Sequence, residues 1–77
     1  MLVYKIELLG ISYVEPLQYN EMTNAVNEAR KMAREWKDNS VNIYLVNVFR
    51  KTQRVIGVAK FDEKINEVVI KPPFKGR

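Results

Sequence analysis

The side chains that could do covalent or proton-transfer chemistry are few. The 77 residues include no cysteine and no histidine, which removes the thiolate nucleophile, the usual general base near neutral pH and the commonest metal ligands. Ser12 and Ser40 have no imidazole to activate them, and no serine–lysine pairing can be argued from their spacing. Glu7 and Glu67 fall in strand-like segments, but a paired-carboxylate site needs a cleft that so short a chain scarcely affords. Asp62 and Glu63 could hold a hard cation weakly, although acidic residues are also common in turns for their solvation. The residue types therefore point away from an enzyme, and no cofactor, metal or small-molecule substrate is expected.

Non-covalent recognition is left. The formal net charge is +4, which favours anionic partners over cationic ones. Basic residues gather in three places: Arg30, Arg34 and Lys37; Arg50, Lys51 and Arg54; and Lys71, Lys75 and Arg77. A hairpin tip and a tail so furnished could grip phosphates, making Arg50, Lys51, Arg54, Lys71, Lys75 and Arg77 the candidate nucleic-acid contacts. Against that stands the ordinary use of long cationic side chains, whose stems cover the edges of apolar faces while their charges stay wet. No helix-turn-helix, glycine-rich phosphate loop or aromatic ribonucleoprotein motif is present, and no family motif is matched closely enough to carry residues over.

The elements that must position these groups follow from periodicity. Leu2, Tyr4, Ile6 and Leu8 alternate with Val3, Lys5, Glu7 and Leu9, the pattern of a strand. A bulge at Leu9-Gly10 would extend it to about Val14, with Glu15-Pro16 in a loop. Met22, Ala25, Val26, Ala29, Met32, Ala33 and Trp36 recur at helical spacing and predict a helix over 21–38, whose stripe is core. Asn20 or Thr23 is the expected N-cap, and Asn39 the left-handed terminator. Val41 to Phe49 and Val55 to Phe61 are rich in β-branched and aromatic residues and read as strands, joined by a turn at 51–53. Asp62-Glu63-Lys64 turns into a short strand over 66–71, which Pro72-Pro73 stops.

The expected fold is therefore α+β, a two-layer βαβββ arrangement with one helix on a four-stranded mixed, mostly antiparallel sheet. The helix crossover would set the first strand parallel to the second, in the order 1-2-3-4. Residues 1–71 form the domain, and 72–77 a flexible basic tail. The first nine residues do not read as a signal peptide, because Lys5 and Glu7 interrupt any apolar run. No stretch approaches the roughly 20 apolar residues of a membrane span, so a cytoplasmic protein without a membrane partner is expected.

One helix can cover one sheet face, yet both faces of the middle strands look apolar. Val41, Ile43, Leu45 and Phe49 point one way and Tyr44, Val46 and Val48 the other; Val55, Ala59 and Phe61 oppose Ile56 and Val58. An uncovered second face marks an interaction site. The expected interface is Tyr44, Val46, Val48, Ile56 and Val58, serving a homodimer or a partner protein, unless the Gly10–Asn20 loop and the tail fold across it. The function expected is a protein-interaction module that self-associates, with nucleic-acid binding through the hairpin tip and tail as the alternative.

Overall fold

The chain order is β1 (Leu2–Leu8), β2 (Leu17–Tyr19), α1 (Met22–Glu35), β3 (Val41–Asn47), β4 (Thr52–Asp62) and β5 (Glu67–Lys71). These elements come from a computed structural model that describes residues 1–72. The architecture is α+β: α1 packs on one face of a five-stranded sheet ordered β2-β1-β3-β4-β5. Every strand pair is antiparallel.

Two expectations are corrected by β2. The sheet has five strands rather than four, and β1 runs antiparallel to β3 rather than parallel. The cause is local. β1 stops at Leu8, Gly10 takes a left-handed φ of +87°, and the chain doubles back so that Tyr4, Lys5 and Ile6 pair with Tyr19, Gln18 and Leu17. Gly10 is thus a reversal, not a bulge that prolongs the strand. Since β2 and β3 both oppose β1, they run parallel to one another on its two sides. The helix crossover therefore links β2 to β3 and straddles β1.

The helix is shorter than its periodicity suggested. Glu21 occupies the N-cap position without a side-chain cap, so neither Asn20 nor Thr23 caps it, and Trp36 ends it. Asn39 is not left-handed; only Lys51 and Asn66 are, among the described non-glycine residues. Asn39 instead reaches across the fold, donating from Nδ2 to the Leu9 carbonyl at 2.8 Å, beside the Leu9 N–H bond to the Ser40 carbonyl at 2.9 Å. These two bonds tie the end of β1 to the entry of β3.

The core lies between α1 and the sheet. Ala25, Ala29 and Ala33 are fully buried against Ile6, Leu8, Val41, Ile43, Ala59, Phe61 and Val68. A helix face made of alanines lets the backbone approach the sheet closely, so bulk there comes from the strands. Met32 and Trp36, expected in the core, pack at its margin, as do Ile11, Val14 and Tyr19, and Met22 at the start of the same stripe is exposed. Arg30 and Arg34 of α1, with Lys37 just past its end, close the β4–β5 side. The Arg34 guanidinium and the Lys37 ammonium lie 5.7 and 4.8 Å from the Phe61 ring centroid, and Arg30 makes a long 3.5 Å contact to the Val68 carbonyl.

Candidate interaction face

On β1, β3 and β5 the residues between the core positions point away from α1. They are Val3, Lys5 and Glu7 on β1, Asn42, Tyr44 and Val46 on β3, and Glu67, Val69 and Lys71 on β5. On β4 the alternation breaks. Ile43 faces Gly57 while Tyr44 faces Val55, so Ile56 is an extra residue at a bulge. The side chain of Ile56 packs against the helix-side core. Val58 and, beyond the bulge, Val55 lie on the open side.

This corrects the expected interface. Tyr44, Val46 and Val58 share the open face; Ile56 does not, and Val48 lies beyond the end of β3 in the connection to β4. Phe49, expected to face inward with Leu45, is in that connection too and is exposed. Val3, Val55 and Val69 join the face in their stead.

The open face is also less apolar than the alternation suggested. At its centre Tyr44 Oη donates to Glu7 Oε1 at 2.8 Å and accepts from Asn42 Nδ2 at 3.2 Å. Lys5 lies 4.7 Å from the centroid of the Tyr44 ring and donates to Gln53 Oε1 at 2.7 Å. The Asn42 amide pulls the Tyr44 pKa down, but burial, the bond to Glu7 and that carboxylate's charge together outweigh it, and the phenol is shifted up. Burial first, then the Glu28 carboxylate, raises Tyr19 as well. Valines flank the polar centre: Val3 and Val46 are paired on one side, and Val58 and Val69 lie on the other. Val3 is buried although it stands apart from the helix-side core.

The Gly10–Asn20 segment leaves this face open. Its Ile11, Val14 and Tyr19 turn toward the helix-side core, and Tyr13 meets Trp36 edge to face with centroids 6.3 Å apart. The tail beyond Pro72, with Lys75 and Arg77, lies outside the described residues.

The candidate phosphate contacts divide. Arg50 and Lys51 sit in the β3–β4 connection, and Arg54 pairs with Leu45 on the helix side of β4. Lys71 pairs with Val58 on the opposite face, about 10 Å from Arg54 along the strand direction, three rises on β3 from Asn42 to Leu45. Lys71 borders a hollow of about 510 Å³ with Lys37, Lys60 and Lys64, but Asp38, Asp62 and Glu63 line it too. With both signs of charge present, the hollow selects no ligand by charge. Glu7 and Glu67 stand on β1 and β5 with two strands between them, which excludes a shared carboxylate site. No group of three metal-ligating side chains occurs among the described residues.

The chain matches no family model, no curated protein and no solved structure. No helix is long and apolar enough to cross a membrane among the described residues.

Proposed function

We propose that this protein is a small non-enzymatic interaction module that pairs with a second copy of itself through the open face of its sheet. The observation that carries the reading is the asymmetry of cover among the described residues: α1 and the loop residues pack on one face, and the other carries the half-buried Val46, Val55, Val58 and Val69, beside the buried Val3, around a hydrogen-bonded polar centre. Lys5 and Glu7 are two residues apart on this face, so a two-fold axis can set the cation of one copy near the anion of the other. A face five strands wide offers about 500 Å² per copy in projection, at the small end of specific interfaces. The expected dimer is thus a weak one.

Light scattering and sedimentation over micromolar concentrations test this. A concentration-dependent dimer is expected, and Val46→Asp should return it to a monomer with unchanged helical circular dichroism. A wild-type monomer throughout that range, without dye binding to exposed apolar surface, overturns the reading. So does a dimer that Val46→Asp leaves intact. The nucleic-acid alternative draws less support, because Lys71 and Arg54 stand on opposite faces.

A further inference from the structure

The connection between β3 and β4 extends past the rungs that pair Leu2 with Asn47 and Asn47 with Thr52. Three features hold its shape. The Val48 N–H donates to the Met1 carbonyl at 3.0 Å, the Arg50 N–H donates to Asn47 Oδ1 at 3.1 Å, and Lys51 is left-handed at φ 56°. In this shape apolar side chains face water: Phe49 is 81% exposed, Met1 69%, Leu2 53% and Val48 44%. Such a cluster at one end of a small domain marks a contact surface rather than scattered surface hydrophobes.

Charge surrounds the same tip. Arg50 and Lys51 flank Phe49 in sequence, and Arg54 shares a hollow of about 340 Å³ with Leu2 and Asn47. All three cations are exposed, and the ion pair found among the described residues, Lys31–Glu28, lies on the helix instead. From residue 39 to residue 61 the chain has no aspartate or glutamate. The tip is therefore apolar at its apex, and the only charges on its strands up to residue 61 are basic.

We propose that this end of the sheet is an interfacial anchor for an anionic lipid bilayer. Phe49 and Val48 dip into the headgroup region, and Arg50, Lys51 and Arg54 meet the lipid phosphates. Apolar insertion combined with a basic patch is the pairing of signals that gives a peripheral protein a stable hold on a membrane. Of the four exposed apolar side chains three are aliphatic; acyl chains accept them, whereas nucleic-acid bases would find one ring to stack on. The expectation of no membrane partner rested on the lack of a spanning segment, and an anchor that enters one leaflet requires none. The open face of the sheet lies on another part of the molecule, so this inference does not rest on self-association.

Co-sedimentation with phosphatidylcholine vesicles, with and without phosphatidylserine, is the test. Binding is expected to the anionic vesicles and to weaken with salt, each cation contributing about fivefold to partitioning. Phe49→Ser should lower partitioning roughly tenfold or more, and Arg50→Gln with Lys51→Gln about 25-fold, with thermal melts unchanged for both. Val46→Asp should bind vesicles like the wild type, which separates the anchor from the dimer. No binding to anionic vesicles overturns the inference, as does binding that Phe49→Ser leaves unchanged. Capture of a single-stranded oligonucleotide through Arg50 and Lys51, with no vesicle binding, assigns the tip to nucleic acid and overturns it equally.

Discussion

The same substitution at two glycines should move stability in opposite directions. At Gly10, φ is +87° and an added Cβ would lie 2.9 Å from Asn39 Nδ2. Left-handed backbone costs an alanine about 1–2 kcal/mol. Asn39 can swing away only by releasing the Leu9 carbonyl, a hydrogen bond worth about 0.5–1.5 kcal/mol. The expected loss is then about 2–3 kcal/mol. At Gly57 the backbone is not left-handed, and a Cβ would meet Ile70 Cγ2 at 3.5 Å, Ile43 Cδ1 at 3.7 Å and the Lys71 carbonyl at 3.8 Å, all ordinary contacts. Alanine there narrows the unfolded ensemble and buries one methyl, an expected gain of about 0.5–1.5 kcal/mol. At about 4–8 °C per kcal/mol for a domain of this size, Gly10→Ala should lower Tm by roughly 10–20 °C and Gly57→Ala raise it by a few degrees. Thermal melts at equal protein concentration measure both. In an Asn39→Ala background the Gly10→Ala penalty should shrink by the share due to the lost bond. Shifts of the same sign, or a Gly10→Ala melt within a degree or two of wild type, would refute the reasoning.

Ala29→Leu should destabilise by about 1–3 kcal/mol in urea titrations, because the helix face at Ala25, Ala29 and Ala33 is fully buried against the sheet. The bulge makes neighbouring apolar residues unequal: Ile56→Asp should unfold the protein, whereas Val58→Asp should leave it folded and monomeric, as circular dichroism and scattering would read. Tyr44 gives a pH dependence. Its pKa is raised above the ordinary 10.0, so the neutral phenol is favoured in the fold. That stabilisation is complete below the unfolded value and is lost as pH rises through the folded one. Tyr44→Phe should therefore flatten the alkaline fall in stability above about pH 10, leaving the part due to Tyr19, whose pKa moves the same way.

Much of the fold is legible because its signals are redundant. The alanine-rich stripe of α1, the β-branched runs of β3 and β4 and the proline stop after β5 each satisfy propensity and pattern together. What escapes reading is short. The three residues of β2 carry too little alternation to register, follow a proline, and owe their pairing to the Gly10 reversal. Missing them turns an antiparallel neighbour into a parallel one, since the sense of β3 relative to β1 depends on the number of reversals between them. Asn39 departs from its pattern for a related reason: a side chain suited to a left-handed stop is equally suited to bridging two segments, and tertiary proximity to Leu9 decides between them.

The surface is harder to read than the core because one residue of slippage exchanges its faces. Val46-Asn47-Val48-Phe49 continues the strand pattern in composition, yet Asn47 is a turn former whose side chain receives the Arg50 N–H. The strand ends there and Phe49 is exposed instead of buried. Ile56-Gly57 likewise reads as strand interior, although an isolated glycine in such a run signals a bulge. Counting that bulge moves Ile56 to the helix side and Val55 to the side of Tyr44. The strand end at Asn47 and the bulge at Ile56 lie on the same hairpin, and together they divide its apolar residues between two surfaces. One is a valine-rimmed face around the Glu7–Tyr44–Asn42 network, suited to a flat partner. The other is a convex tip with Phe49 at its apex and cations at its flanks. A substitution on either should spare the other, because no side chain of the network is shared with the tip.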